Sequence, residues 1–387
     1  MTALQQDLAR PTRWPALDGF RGLAVLIVVG YHAIRLVLES HDLVHADPAP
    51  LALWPMGLGK FTVDAFFVLS GFLIVTAWDR RPEWSSFYRR RARRLLPAYL
   101  VSVAVLVPLV APQILGSLKD LVLLVVLQGY MTDHLTSSVN VPWWSLTTEV
   151  HFYLLVPLLA PLLHRRFGRW ALLASACALS VWWWDRGAES LGLSASLLPG
   201  RLPQFLVGAL VGIAVRERGV DSWAWILARS RLVARAAVVG LVLLGLYLGA
   251  NGTYHRRGVA FDLWIEPLSG LLLAILLFHL VARPPASTVL DGPTLRGAGL
   301  VSYSLYLWHY PILTTAVLWL DVGTEPLMAV PAVLLGLAVT AAVTAVSYRW
   351  IERPLLYGRS KAKEPTPQAG TRRSPATVGS RKAGALA

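Results

Sequence analysis

The chain has 387 residues, 55% of them hydrophobic and only 15% charged, with a formal net charge of +14 at pH 7. A mean hydropathy of +0.54 excludes an ordinary soluble globule, and the lone Cys177 excludes an intrachain disulfide or a thiolate metal cluster. The basic residues lie in short blocks between apolar runs, which reads as an orientation signal in a membrane and not as a nucleic-acid surface.

In chain order, residues 1–16 are a polar segment expected in the cytoplasm. The first apolar run lacks a small-residue cleavage site and is read as a retained span over 17–38. Its sequence, LDGFRGLAVLIVVGYHA, sets Arg21 and His32 in an otherwise apolar stretch. Eleven residues at about 100° each return to within roughly 20° of one helical face, and a rise of ~1.5 Å per residue puts the imidazole ~16 Å further along. Ionisable groups inside a membrane are costly and tend to be functional, although a membrane histidine also serves simply to bond a neighbouring helix. The second span, 60–78, carries FTVDAFFVLSGFLI, with Asp64 near its outer end as a polar partner in a site or a helix N-terminal acid. Ser70-Gly71 reads as small-residue packing, because no nucleophile-elbow pattern surrounds the serine. The third span, 95–112, is preceded by FYRRRARRLLPAY. There Arg91 and Arg94 share one helical face, and Arg90 and Arg93 another. Paired guanidiniums suit phosphate groups through bidentate donation, and the number of arginines exceeds what topology requires.

The stretch 118–131 is too short to cross and reads as re-entrant or interfacial. The span 145–163 contains WWSLTTEVHFYLLVP, where Glu149 either orients a histidine or faces water. Tyr153 is counted as a supporting group, and His151 points to a different face. Further spans are expected at 170–184, 201–215, 233–250, 262–281, 299–320 and 329–350. Within them SYSLYLWHYP puts His309 near mid-membrane, and Pro311 is expected to loosen the helix and free backbone carbonyls for ligand or water. Residues 357–387 read as a disordered cytoplasmic tail.

If 118–131 does not span, every rich basic block falls on one side, so the fold class expected is all-α: a polytopic bundle of about ten transmembrane helices with both termini cytoplasmic. No Walker loop, dinucleotide fingerprint or HExxH motif is present, and no metal is expected.

Taken together, these motifs and the closing YRWIERP resemble the acyltransferase 3 family of integral-membrane O-acyltransferases, in order from residue 17 to 354. The resemblance implies a plasma-membrane, multi-pass domain over 17–356. It takes an acyl group, expected to be acetyl, from cytoplasmic acyl-coenzyme A to a hydroxyl of a glycan or small-molecule acceptor. By the matching motifs, Arg21 and His32 carry over as the catalytic pair and Arg91/Arg94 as the coenzyme-handling arginines, with the Arg90/Arg93 register left open. The expected chemistry is removal of the acceptor proton by His32, with Glu149 and His309 positioning the base or the acceptor. The expected partners are the bilayer, acyl-coenzyme A and the acceptor, with no nucleic acid and a homo-oligomer left open. The rival reading is a transporter or flippase for a glycan or small metabolite, with the same polar groups lining a path.

Overall fold

Backbone amides in lipid must be satisfied within their own segment, so uninterrupted apolar runs of this length form helices. The computed structural model describes residues 14–39, 56–80, 82–129, 131, 139–218, 224–250, 265–282, 289–319 and 326–357; every regular element among them is helical. The chain order is α1 (Pro15–Glu39), α2 (Gly57–Arg80), α3 (Trp84–Val110), α4 (Leu118–Val125), α5 (Trp144–Leu163) and α6 (Arg166–Trp182). It continues with α7 (Leu198–Arg218), α8 (Ala224–Ala250), α9 (Glu266–Ala282), α10 (Pro293–Leu300), α11 (Ser302–Trp319) and α12 (Pro326–Ser347). Seven of these, α1, α2, α3, α5, α7, α8 and α12, are long and apolar enough to cross a membrane. The expected spans 170–184, 262–281 and 299–320 fall on α6, α9 and α11, which have 17, 17 and 18 residues.

The segment read as non-spanning contains only the eight-residue α4. Its chain turns back at Leu127, which takes a left-handed φ of 60°. Tyr99 on α3 holds it by donating to the Leu124 carbonyl at 2.8 Å. The expected N-terminal segment through residue 13 and the tail beyond Tyr357 lie outside the described residues.

Ion pairs mark one end of the bundle, called here the arginine end. Asp79 at the close of α2 accepts from His164 after α5 and Arg216 on α7, each at 2.9 Å. Arg169 on α6 donates to both oxygens of Glu217 on α7. Exposed tryptophans flank the apolar surface, Trp84 and Trp350 towards this end and Trp182 and Trp319 towards the other, as expected for side chains at two membrane interfaces.

Between helices in lipid, association rests on close packing and hydrogen bonds rather than on escape from water. Several contacts here are backbone to backbone. A Cβ on Gly71 of α2 would fall 1.9 Å from the Phe205 carbonyl oxygen, and one on Gly208 of α7 would fall 1.8 Å from that of Val68. The reciprocal pair lets α2 and α7 touch. Gly22 and Gly299 do the same for α1 and α10, where added Cβ atoms would meet the Leu295 and Asp18 carbonyls at 1.9 and 1.8 Å. Beneath these crossings Phe205 stacks between Phe67 and Phe152, with centroids 4.7 and 4.3 Å away, joining α2, α5 and α7.

Pro311 sits inside a continuous α11. It lacks an N–H, so the carbonyl four residues back loses its helical donor. That carbonyl, Leu307 O, is taken by the Asn140 side-chain amide at 2.8 Å. The expectation that the proline frees a carbonyl for ligand or water is therefore corrected: the protein itself supplies the donor.

Candidate active site

Two helices converge their cationic side chains on one cavity. It has a volume of about 90 Å³ and is lined by Arg21 of α1, Arg91 and Arg94 of α3, Ser70 of α2, Ser145, Glu149 and Tyr153 of α5, and Ser302, Tyr303 and Tyr306 of α11, among others. The two arginine registers separate here. Arg91 and Arg94 line the cavity, whereas Arg90 and Arg93 face outward, and Arg90 donates to Ser86 one turn back at 2.8 Å. The Arg91 guanidinium lies between the Phe87 and Tyr153 rings, 5.7 and 5.5 Å from their centroids, a geometry that holds a cation while leaving its N–H edges available.

Arg21 donates to the Ser302 hydroxyl at 3.0 Å. Its charged surroundings are Asp18, Glu149 and Glu352 on the anionic side and Arg94 on the cationic side. Glu352 reaches this position because the chain after α12 runs through a π-helical turn, Tyr348–Glu352. A π-turn rotates the following side chains relative to an α-helix and recurs at functional sites. Ser304 holds its carboxylate at 2.8 Å. Glu352 was not singled out from sequence; the available signal was a carboxylate directly after the last apolar run, inside YRWIERP.

Glu149 is a wall residue whose Oε1 accepts from Ser70 at 2.7 Å and from Tyr153 at 2.6 Å. The supporting place expected for Tyr153 is thus on the cavity wall. The group that meets His32 is His309 and not Glu149, which was expected to orient a histidine as one of its two roles. The His309 Nε2 and His32 Nδ1 atoms are 3.0 Å apart, and the rings also contact Tyr31 and Tyr310 around His32.

The hydrogen bonds fix the proton positions in this pair. His309 Nδ1 lies 3.1 and 3.0 Å from the Leu305 and Tyr306 carbonyl oxygens. Carbonyls only accept, so neutral His309 carries its proton on Nδ1, and its Nε2 is an acceptor. The His32 proton facing it is then on Nδ1, which leaves the His32 Nε2 lone pair as the basic site. This is a base–orienter arrangement built from two histidines.

His32 and His309 are not among the cavity-lining residues. They stand one ring beyond its far wall: Tyr306 lines the cavity and lies 5.7 Å from His309, which lies 5.1 Å from His32, centroid to centroid. On α11, Ser302, Tyr306 and His309 are spaced four and three residues apart, so one helical stripe leads from Arg21 to His32. Tyr306 is anchored by hydrogen bonds to Ser145 and to the Pro142 carbonyl.

Asp64 is elsewhere. It is buried in a charge cluster at the opposite end, accepting from Arg201 at 3.1 Å and Ser269 at 3.2 Å. Arg201 also donates to Glu266 at 2.6 Å. The expectation that Asp64 belongs to the polar site is corrected: its carboxylate is occupied by an arginine 137 positions away. His151 pairs with Gln128 at 2.7 Å and takes no part in the cavity. No group of three or more metal-ligating side chains occurs among the described residues.

Comparison with known proteins gives a family and relatives. A model of the acyltransferase domain, the acyltransferase 3 type, matches residues 14–349. The chain is 26% identical to the O-acetyltransferase OatA of Staphylococcus aureus, over 90% of its own length and 58% of that protein. It is 26% identical to the peptidoglycan O-acetyltransferase OatA of Listeria monocytogenes, over 90% and 57% respectively. A putative membrane-bound transacylase BcsY of Komagataeibacter xylinus is 27% identical over 91% of this chain and 85% of its own. The chain thus spans under two thirds of the OatA proteins it matches. No solved structure matches.

Proposed function

The chain belongs to the acyltransferase 3 family, and from that premise we propose that it is a membrane O-acyltransferase moving an acetyl group from acyl-coenzyme A to a hydroxyl of a cell-envelope glycan. The observation that carries the reading is the cavity with Arg21, Arg91 and Arg94 on its walls and the His32–His309 pair one aromatic ring beyond. Guanidiniums at one end suit the phosphates of the coenzyme. In this reading the nucleotide stays at the arginine end and the narrower acyl-thioester arm enters the cavity. The reading takes α6, α9 and α11 as further crossings beside the seven, their 17, 17 and 18 residues lying within the range of about 17–25 that a bilayer requires.

In this mechanism His32 Nε2 takes the proton of the acceptor hydroxyl while its oxygen attacks the thioester carbonyl. The coenzyme leaves as the thiolate, and the proton taken by His32 passes to it. His309 keeps the His32 proton on Nδ1 and the lone pair on Nε2. Glu149, with Ser70 and Tyr153, shapes the wall along which the arm lies. Tyr306 stands at the junction, so the acyl end passes its ring to reach the base. The acceptor class rests on the relatives' own named activity, peptidoglycan O-acetylation in one of them.

The test is transfer of radiolabel from acetyl-coenzyme A in membranes holding intact protein or His32→Ala, with extracted glycans and small metabolites as acceptors. Label in a hydroxyl-bearing product with intact protein alone supports the reading. Binding of acetyl-coenzyme A without transfer rejects the acetyl or glycan assignment. Failure to bind any acyl-coenzyme A rejects the enzyme in favour of a transporter.

A further inference from the structure

A second cavity opens at the end of the bundle away from the arginines, where the last turns of α6 meet the first turns of α7 and α9. Its volume is about 290 Å³, and Ser180, Gln204 and Glu266 give it polar atoms. Its rim includes Ala178 and Pro267, both exposed on the apolar outer surface, next to the exposed Leu179 and Leu268. The mouth therefore opens on the apolar outer surface, near the depth where helices begin.

The polar atom left without a partner is an acceptor. Gln204 is 2% exposed; its amide nitrogen donates to Glu266 at 3.4 Å, and among the described residues its Oε1 has no hydrogen-bond partner. Reversing the amide would set an oxygen against the Glu266 carboxylate, so this orientation is the satisfied one. Ser180 spends its proton on the Gly200 carbonyl. An acceptor left bare in apolar surroundings is costly, and a leucine or methionine would fill the same space without that cost. The local charge is balanced: Asp64 and Glu266 face Arg201 and, at 3.9 Å from Glu266, Lys60. A cation finds no uncompensated anion there.

We propose that this pocket binds a neutral lipid with a free hydroxyl, the O–H donating to Gln204 Oε1 beside Glu266 while the acyl chains leave between Ala178 and Pro267. The site is separate from the arginine-lined cavity and stands whether or not acyl transfer is the chain's activity.

The experiment is native mass spectrometry of the detergent-purified full chain with 1,2-dioleoylglycerol and, at equal concentration, 1,2-dioleoyl-3-acetylglycerol, which has the same chains and no hydroxyl. One hydrogen bond predicts about tenfold greater retention of the dioleoylglycerol. Gln204→Leu should abolish that preference while leaving the charge cluster intact. Ala178→Trp, a change on the lipid face, should close the mouth and remove both lipids, with an unchanged gel-filtration profile confirming the fold. Equal retention of the two lipids, retention of neither, or a preference that survives Gln204→Leu overturns the proposal.

Discussion

Replacing Arg201 with methionine tests whether charge compensation holds the end of the bundle opposite the arginines. Arg201 is 3% exposed, and its Nη1 serves Asp64 and Glu266, which are 1% and 3% exposed. The substitution keeps an unbranched apolar stem and removes the cation between two buried carboxylates. Breaking a buried pair in this way costs about 3–5 kcal/mol, because the remaining charge stays desolvated. Lys60, within 3.9 Å of Glu266 and with a 16% exposed side chain, offsets part of this, so about 3 kcal/mol is expected. Adding Asp64→Asn and Glu266→Gln to Arg201→Met removes the stranded charges, and most of the loss should be recovered, since neutral replacement of a whole buried cluster is close to neutral in energy. The assay is thermal unfolding in detergent followed by the fraction remaining monodisperse on gel filtration. A single variant as stable as the parent, or a triple variant as unstable as the single one, would refute the account.

Other consequences are accessible to similar measurements. His309→Phe keeps a ring but removes the acceptor that fixes the His32 tautomer; transfer should fall by about 10²-fold or more with acyl-coenzyme A binding unchanged, and a fall in binding alone would contradict the orienting role. Arg91→Ala with Arg94→Ala should weaken acyl-coenzyme A binding by about 10²-fold, two charge-assisted contacts being lost, whereas Arg90→Ala with Arg93→Ala should leave the dissociation constant nearly unchanged in the same titration. Gly208→Ala must push α7 away from the Val68 carbonyl; a loss of about 1–3 kcal/mol is expected, seen as a lowered unfolding temperature, and an unaffected protein would mean that the helices are not in backbone contact.

The helical membrane architecture was readable from hydropathy and length because lipid permits so few alternatives. The failure of 118–131 to cross was readable for the same reason, being a matter of length, and α4 has only eight residues. Face assignment along a single helix also succeeded in part: the three-residue spacing of Arg91 and Arg94 brings both to one cavity. What a single helix does not encode is its neighbour. Glu149 and His309 were each expected near the base; His309 does meet His32, 277 positions away, whereas Glu149 pairs with Ser70, 79 positions away. Periodicity offers no means of choosing between such partners. Asp64 was placed with the site for the same reason, since Arg201 and Glu266 stand at the starts of other helices and read as end-of-helix charges. Glu352 escaped notice because a π-turn sets its direction, and that turn has no pattern in the α-helical period.

The meeting of α2 and α7 through Gly71 and Gly208 bears on what the cavity can become. The α2 side of the cavity, with Val63, Phe66 and Ser70, is set on a spacing that admits no thinner residue, since glycine is already at the contact. Adaptation to a longer or shorter acyl chain must therefore be written on α3 and α11, whose walls meet the cavity through side chains of adjustable bulk such as Leu95, Tyr303 and Tyr306. One side of the chamber is a fixed datum, and the other is where a chain-length gauge would be cut.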